Sequence, residues 1–324
     1  MAKKELTGVD VELLTEYVVN SRAEGTLKQY RTSLRRVWCH GRKIKSMVFK
    51  WTEGEVCGMI ISLVEEGCSE NIVKQALAVV AMIFEAMGQT SPTRSALVGQ
   101  VKKAAAKKRP VGKLRPRMVM TLGHLIELVG NLYKKPAQLV KAVDRRTLVL
   151  QIILFLGMKR FSDVQMIKVK DVKFREDGSV EISIGKTKTD QAARGSKFVI
   201  VGSKKRKVMS ADIFRWYFQS LNLKQGDFVF PKLRGGAQSE VAVRSEAVSY
   251  RVALQDLQEV CRRYALPPLT LHSARIGAAT EGAKAGVSRE FLKACGGWSS
   301  GAVDDYVRLR DPGIVFNQAV FRHV

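Results

Sequence analysis

Apolar residues recur at helical spacing through the first hundred residues, and polar segments separate the runs. Each run places its apolar residues on one face of a helix, which predicts four amphipathic helices. The predicted helices begin at Asp10, Thr26, Thr52 and Ser69. These residue types favour the N-cap position, and Thr52 with Glu55 matches the capping-box pattern. The pattern therefore predicts a small helical bundle at the N-terminal end.

From residue 118 onward, helical and alternating patterns are mixed. Residues 143–158 are predicted to form a helix buried on every side, because residues 148–158 are apolar apart from Gln151. Residues 180–185 alternate between apolar and polar positions and predict a half-buried strand, with 198–201 as its partner across a polar loop. Further helices are predicted near 121–132, 212–221, 245–264, 273–284, 288–295, 300–306 and 313–321. The predicted fold is mainly α: a helical bundle followed by a mixed α+β domain with a small antiparallel sheet.

A change in composition separates these two parts. Residues 102–117 (KKAAAKKRPVGKLRPR) are basic, contain two prolines and show no apolar period. This composition predicts an extended linker. The expected domains are 1–106 and 118–324, joined by a basic linker at 107–117. The basic run, which includes Lys107 and Lys108, is a candidate for contact with a phosphate backbone, and a nuclear localisation signal is the alternative.

The composition supports folded domains, since 46% of the residues are hydrophobic. The charge balance is unusual, with 55 Lys and Arg against 30 Asp and Glu, for a formal net charge of +25. A protein this basic is expected to bind a polyanion, and nucleic acid is favoured because neutralising phosphates releases condensed counterions. An anionic membrane surface is the alternative, but the chain shows no lipidation signal and no isolated basic amphipathic helix.

Basic residues are concentrated on the second predicted helix and the loop that follows it. This concentration predicts a DNA-contact surface, and a solvated charged face is the alternative. The candidate DNA-contact residues of this region are Lys28, Arg31, Arg35, Arg36, Arg42 and Lys43.

Five cysteines are spread through the chain, and no two of them form a C-x-x-C pair. Their odd number argues against a disulfide framework, and their spacing argues against a zinc knuckle. The N-terminal residues lack the apolar core of a secretion signal, and the longest apolar run, near 148–158, is too short to span a bilayer. We therefore expect an intracellular protein, in the cytoplasm and nucleoid or in a nucleus, with no membrane partner.

DNA binding makes phosphoryl transfer a candidate chemistry. The reaction needs a nucleophile, cationic donors for the non-bridging oxygens, and an acid for the leaving oxygen. Metal enzymes use acidic clusters, but the obvious acidic pair near a candidate site is Asp304–Asp305, and adjacent side chains diverge on a helix. A route without metal uses arginine, whose guanidinium binds two phosphate oxygens and stays charged. We therefore expect no metal and no cofactor.

Residues suited to the metal-free route follow one another in the second domain. They are Arg160, Lys188, the H-x-x-R pair His272 and Arg275, Trp298, and Tyr306. Each motif alone is weakly specific, since H-x-x-R occurs often by chance and a single tyrosine usually packs. Arg160 also has a structural alternative, a salt bridge to Asp163 or Asp171. The order of the whole set is what makes it informative.

The segments around these residues resemble the tyrosine recombinase family, also called the phage integrase family. KRFSDVQMIKVKDV, around Arg160, is similar to the family's first box, and SIGKTKT resembles the hairpin that carries a lysine. LHSARIGAATEGAKAGVS and GGW are similar to the second box. The resemblance covers residues 117–310 and extends more weakly to TLKQYRTSLRRV, which fits the family's helical core-binding domain.

The resemblance implies a role for each of these residues. Tyr306 would be the nucleophile that forms a 3′-phosphotyrosyl bond. Arg160 and Arg275 would hold the non-bridging oxygens of the phosphate. Lys188 would be the general acid for the leaving 5′ oxygen, with Lys186 in the same hairpin as the alternative. Lys186 is also a candidate DNA-contact residue.

The remaining residues of the set have supporting roles in the family. His272 would bind the phosphate or help to move the tyrosine proton, and a helix-capping histidine is its structural alternative. Trp298 stands where many relatives have histidine, and it would donate its indole N–H or only pack the nucleophile's helix. Asp163 would orient its neighbours. By residue type, the alternatives to Tyr306 are Tyr250 and Tyr264, but neither follows a GGW segment.

Two features depart from the family pattern. The interval from Trp298 to Tyr306 is one residue shorter than in a similar recombinase, which could shift the angle of the tyrosine and puts its cleavage in cis in doubt. Asp163 replaces the commoner glutamate and reaches less far. The short apolar helix predicted near 313–321 would dock on a neighbouring subunit, as in similar recombinases, or on its own domain.

The resemblance implies a site-specific recombinase that cuts and rejoins duplex DNA without metal or ATP. Two domains would close around the DNA, and a homotetramer would exchange strands through a Holliday junction. The helices at 26–39 and 245–264 are candidates for reading the major groove. A type IB topoisomerase or a hairpin telomere resolvase would share the chemistry. A DNA-binding regulator that does not cut, and an RNA-binding protein, are alternatives from other classes.

Overall fold

The structure, a computed structural model, describes residues 24–108, 118–185, 195–202, 208–235, 241–298 and 301–307. The chain divides into two compact units between Arg115 and Pro116. The helix predicted to begin at Asp10 and the helix predicted near 313–321 lie outside the described residues.

The N-terminal unit is a bundle of helices. Its helices are α1 (Glu24–Lys43), α2 (Glu53–Glu65), α3 (Glu70–Ala86) and α4 (Ala96–Lys108). Helix α1 packs on α3, and α2 packs on α4. The core consists of apolar residues at helical spacing, including Val37, Ile60 and Val80. The capping box predicted at Thr52 is confirmed, since its backbone N–H donates to the Glu55 carboxylate at 2.5 Å.

The linker interpretation is wrong for residues 102–108, which form the second half of α4. Alanine and lysine are good helix formers, and Ala105 lies two turns after Val98 on the buried face of the helix. Lys107 and Lys108 are exposed in the last turn, where cations interact favourably with the helix dipole. The expected start of the linker therefore falls within a helix, and 109–117 lie outside the described residues.

The C-terminal unit is built around one buried helix, α6. The helices of this unit are α5 (Leu122–Leu132), α6 (Ala142–Leu156), α7 (Phe161–Val164), α8 (Ser210–Ser220), α9 (Tyr250–Arg263), α10 (Leu271–Lys284) and α11 (Arg289–Gly296). Helix α6 packs on α5, α8, α9 and α10, so the prediction that it is buried is confirmed. No helix in the described part of the chain is long and apolar enough to cross a membrane.

Two small antiparallel sheets belong to the same unit. The first contains β1 (Val172–Phe174), β2 (Val180–Ile184) and β3 (Ser196–Ile200), in that order. The predicted pairing of β2 with β3 is confirmed, with Ile182 opposite Phe198. The second sheet pairs β4 (Pro231–Arg234) with β5 (Val241–Ala247).

The prediction missed β1, β4 and β5. Strands β1 and β4 are short, and β5 carries little alternation of apolar and polar residues. The helix predicted over 245–264 is wrong at its start, because residues 245–247 complete β5. Helix α9 begins only at Tyr250, where the Ser249 hydroxyl caps it by accepting from the backbone N–H of Val252 at 3.3 Å.

Candidate active site

Arg160 lies in the loop that follows the buried helix α6. This helix ends at Leu156, and Met158 takes a positive φ of 51°, so the chain turns sharply before Arg160. Arg160 is the N-cap of α7, and its backbone N–H donates to the Asp163 carboxylate at 3.2 Å. The same carboxylate lies 3.6 Å from the Arg160 guanidinium. Asp163 is buried, and its carboxylate contacts both the backbone N–H and the guanidinium of Arg160.

Arg275 is fully buried on α10, in the H-x-x-R motif. Its Nη1 donates to the carbonyl oxygen of Met158 at 2.6 Å, and its Nη2 donates to that of Gly296 at 2.7 Å. A guanidinium carries further N–H groups, and Nε has no hydrogen-bond partner among the described residues. Burial first, and then the charge of Arg160, lower the pKa of Arg275 to about 10, so it stays charged at neutral pH.

The GGW segment places an indole ring on Arg275. Gly297 ends α11 in the left-handed conformation (φ 65°, ψ 43°), which favours glycine. Gly296 is needed for another reason, because the Trp298 ring covers it and an added Cβ would overlap that ring. The ring centroid lies 4.1 Å from the Arg275 Cζ, a cation–π contact. Trp298 is buried, and its indole N–H has no hydrogen-bond partner within the described part of the chain.

Tyr306 follows a 3₁₀ turn, Gly301–Asp305, and reaches the same group of residues. Its ring centroid lies 4.8 Å from that of Trp298 and 5.0 Å from that of His272. The Arg275 Cζ lies 5.4 Å from the Tyr306 centroid. With the shortened interval after Trp298, the Tyr306 ring therefore still contacts His272, Arg275 and Trp298 of its own chain.

Two contacts hold the turn that carries Tyr306. The Thr280 hydroxyl on α10 lies 3.3 Å from the carbonyl oxygen of Tyr306 and 2.9 Å from that of Ile276, and its single proton is shared between these two acceptors. The Asp304 carboxylate accepts from Arg289 of α11 through both oxygens, at 2.8 and 2.5 Å, and these bonds lower the pKa of Asp304. Among the described residues, no group of three or more histidine, cysteine or acidic side chains is arranged to hold a metal ion.

A cleft of about 540 Å³ has Arg160 and His272 in its wall. Tyr250 lines the same cleft, and its ring packs edge-on against Phe161. Tyr264 is engaged elsewhere, since its hydroxyl donates to the Asp144 carboxylate at 3.2 Å. Of the three candidate tyrosines, Tyr306 is therefore the one grouped with the H-x-x-R and GGW residues.

Lys188 and its alternative Lys186 lie outside the described residues, so the choice of general acid stays a prediction. They fall between Ile184, where β2 ends, and Ser196, where β3 begins. Lys159, beside Arg160, is a site residue that the sequence reasoning missed. Its Nζ donates to the carbonyl oxygen of Cys295 at 3.0 Å, and burial lowers its pKa. The available signal was a second cation immediately before Arg160.

The candidate DNA-contact residues of the N-terminal unit lie along α1. They are Lys28, Arg31, Arg35, Arg36, Arg42 and Lys43. Arg35, Arg36 and Lys43 line a concavity of about 350 Å³ that α2 also borders. Lys43 also pairs with Glu66 of that concavity, with Nζ and Oε1 3.3 Å apart. Contact with DNA stays a prediction for all of these residues.

Proteins of known function resemble this chain in sequence and in fold. Recombinase cre of Escherichia phage P1 is 25% identical over 296 residues, which cover 86% of this chain and 82% of that protein. No family model matches the sequence. The XerH site-specific recombinase, solved bound to palindromic difH substrate in a post-cleavage complex, has a TM-score of 0.62 and 14% identity over 90% of this chain and 78% of that one. The Tn1549 transposon integrase, solved with transposon right end DNA, has a TM-score of 0.60 and 14% identity over 95% of this chain and 97% of that one.

Proposed function

Since the chain is a homologue of Cre recombinase and has the fold of the tyrosine recombinases, we propose that it cuts and rejoins duplex DNA at specific sites through Tyr306. The phenol oxygen attacks a phosphodiester, forms a 3′-phosphotyrosyl bond and releases a 5′ hydroxyl. One observation carries the proposal: the Tyr306 ring lies 5.0 Å from the ring of His272 and 4.8 Å from that of Trp298, beside the buried cation of Arg275.

The phosphate is bound by the two arginines and the indole. During the attack, negative charge concentrates on the two non-bridging oxygens, and preorganised donors stabilise it. Arg160 stands in the wall of the cleft, and Arg275 keeps N–H groups besides the two that bind backbone carbonyls. The indole N–H of Trp298, buried and without a partner among the described residues, suits a third bond to the phosphate.

Two protons move in the proposed reaction. The phenol proton of Tyr306 leaves as the new oxygen–phosphorus bond forms, and His272 takes it or relays it to the phosphate. The neighbouring Arg275 stabilises the negative charge that develops on the phenol oxygen. As the bond to the 5′ oxygen breaks, Lys188 protonates that oxygen.

Rejoining reverses the same steps. A 5′ hydroxyl attacks the phosphotyrosyl bond and releases Tyr306. Because the covalent intermediate conserves the energy of the phosphodiester, the reaction needs no ATP. Charge is stabilised by side chains, so the proposed reaction also needs no metal ion and no other cofactor.

The partner is duplex DNA that carries a specific recombination site. The XerH recombinase was solved with palindromic difH substrate and the Tn1549 integrase with transposon right end DNA, and a net charge of +25 supports a DNA partner here. The N-terminal unit would act as the core-binding domain. Exchange between two sites implies a homotetramer and a Holliday junction, with the segment near 313–321 docking on a neighbouring subunit or on its own domain. The protein would act inside the cell, in the cytoplasm and nucleoid or in a nucleus.

The proposal is tested with nicked duplexes from the DNA that flanks the protein's own gene. Wild-type protein is expected to form a protein–DNA adduct that survives a denaturing gel. Tyr306→Phe removes one hydroxyl and is expected to abolish the adduct while DNA binding persists. Tyr250→Phe, which removes the hydroxyl of the tyrosine that lines the cleft with Arg160 and His272, is the matched control and keeps the adduct.

Two results would contradict the proposal. One is an adduct that survives Tyr306→Phe, and the other is the absence of any adduct with wild-type protein on a duplex that it binds. EDTA tests the metal-free chemistry separately. The adduct yield is expected to be unchanged by EDTA, and its loss would show that a metal ion takes part.

A further inference from the structure

Lys159 connects three segments of the active-site unit. It lies in the loop between α6 and α7, immediately before Arg160. Its Nζ donates to the carbonyl oxygen of Cys295 in the last turn of α11, at 3.0 Å. The same Nζ lies 5.1 Å from the ring centroid of Phe198 on β3, a cation–π contact. One side chain thus links the loop between α6 and α7 that carries Arg160 (the arginine loop), the end of α11 and the β2–β3 sheet.

The end of α11 is held by two cations. The carbonyl oxygen of Cys295 accepts from Lys159, and that of the next residue, Gly296, accepts from Arg275 at 2.7 Å. The last carbonyls of a helix lack partners within the helix and carry partial negative charge, so cations bind them well. Trp298 follows these two carbonyls directly, and its ring contacts Tyr306. The position of Trp298 beside Tyr306 therefore depends on how the last turn of α11 is held.

Phe198 contacts the arginine loop at two residues, Lys159 and Gly157. Its ring lies so close to Gly157 that an added Cβ at this glycine would overlap the ring. Strand β3, which bears Phe198, resumes the chain after the segment that contains Lys186 and Lys188. The contact between Phe198 and Lys159 thus joins that strand to the arginine loop.

A lysine is a costly choice at this position. Burial, and then the positive charges of Arg275 and Arg160, lower the pKa of Lys159, while Asp163 acts in the opposite direction. An apolar side chain would avoid this cost and would still pack on Phe198. It would leave the carbonyl oxygen of Cys295 without its bond to Nζ, so the property that lysine adds is this hydrogen bond.

We propose that Lys159 is a positioning residue of the recombination reaction. It fixes the end of α11 against the arginine loop and so presents Trp298 and Tyr306 to the phosphate. The inference rests on the proposed function, since it assigns a role within that reaction. Lys159 acts through its neighbours and is not the general acid of the reaction.

The test compares Lys159→Met with Lys159→Arg. Methionine keeps the length and packing of the side chain but loses the charged donor, whereas arginine keeps a donor. Lys159→Met is expected to slow adduct formation at saturating protein by about 10-fold to 100-fold, as a small misplacement of reacting groups does. DNA affinity and the melting temperature are expected to stay near the wild-type values, and Lys159→Arg is expected to recover part of the rate. Lys135→Met, an exposed lysine just after α5, is the matched control.

A substrate with sulphur in the 5′-bridging position separates positioning from acid catalysis. A thiolate leaves without protonation, so a residue that only donates a proton becomes dispensable on this substrate. Lys159→Met is expected to be slowed equally on the oxygen and sulphur substrates. The proposal would be overturned if Lys159→Met formed the adduct at the wild-type rate, or if the sulphur substrate restored its rate. It would also be overturned if the variant lost DNA affinity and melting temperature along with the rate. Failure of wild-type protein to form any adduct would instead contradict the proposed function.

Discussion

At the scale of single residues, the active site contains groups that are unfavourable without an anionic partner. Arg275 is a fully buried cation, and the indole N–H of Trp298 is buried without a partner among the described residues. A buried donor that makes no hydrogen bond costs about 1 to 3 kcal/mol. Both groups lie against Tyr306, so the proposed binding of a phosphodiester beside that residue would offset this cost.

The general acid can be identified by changing the leaving group of the substrate. Lys188→Ala is expected to slow cleavage of an ordinary phosphodiester by about 100-fold or more, because loss of general acid catalysis has effects of this size. A 5′-bridging phosphorothioate is expected to restore the rate, since a thiolate needs no proton. The measurement is the rate of adduct formation on the two substrates.

Lys186→Ala is the matched control, because it removes the other lysine of the same segment. It is expected to cleave both substrates at rates close to wild type. If sulphur rescued Lys186→Ala and not Lys188→Ala, the acid would be Lys186 and the assignment would be wrong.

Most candidate residues of the site could be predicted because they belong to motifs with a fixed order. The structure then places Arg160, His272, Arg275, Trp298 and Tyr306 in one unit, as the order implied. Lys159 could not be predicted. Its partner is a backbone carbonyl 136 positions away in the chain, and a carbonyl oxygen has no signature in the sequence.

At the scale of elements, α10 is the support on which the site is assembled. It carries His272 and Arg275, and its Thr280 holds the backbone of Tyr306. The segment before α5 lies directly on this helix, with the backbone N–H of Met120 donating to the carbonyl oxygen of Ser273 at 3.2 Å.

Gly277 is required for this close approach. A Cβ added at Gly277 would overlap the carbonyl oxygen of Met120, a backbone atom that cannot rotate aside. Gly277→Ala is therefore expected to lower the free energy of unfolding by roughly 2 to 4 kcal/mol, the upper range for overpacking. Chemical denaturation followed by circular dichroism measures this change.

Gly130→Ala is the control for the helical effect of the substitution. Gly130 lies in α5, and its added Cβ would meet nothing within 4 Å. Alanine favours the helix by roughly 0.5 to 1 kcal/mol, so this variant is expected to be slightly more stable than wild type. Equal stability of Gly277→Ala and wild type would show that the contact with Met120 is not tight.

Elements with a strong pattern could be predicted, and those that depend on their neighbours could not. Helix α6 is long and apolar, and β2 alternates cleanly, so both were predicted. Helix α4 was not predicted, because its last residues are basic and its buried face has only Val98 and Ala105. Strand β5 has no buried residue and is defined by its pairing with β4 rather than by its own pattern.

At the scale of the whole molecule, composition and charge predicted a two-part, DNA-binding chain. The chain does divide into two compact units, between Arg115 and Pro116. The assignment of the first unit to core binding and of the second to catalysis stays a prediction. Assembly into a tetramer could not be derived from the sequence in physical terms, because it depends on surfaces that meet other chains and DNA.

The ring contacts of Tyr306 predict cleavage in cis, because this ring lies against His272 and Trp298 of its own chain. A mixture of Tyr306→Phe and Arg160→Ala proteins is therefore expected to form no adduct beyond that of each variant alone. Tyr306→Phe lacks the nucleophile, and Arg160→Ala lacks an arginine that binds the phosphate. If cleavage is in cis, no subunit in the mixture has both groups. An adduct restored by mixing would show that the tyrosine is delivered to a neighbouring subunit.

The most direct measurement identifies the residue that becomes joined to DNA. The adduct is digested with nuclease and trypsin, and the modified peptide is sequenced by mass spectrometry. The nucleotide is expected on Tyr306, within the peptide ACGGWSSGAVDDYVR. A nucleotide on Tyr250, in SEAVSYR, or on Tyr264, in YALPPLTLHSAR, would contradict the assignment of the nucleophile.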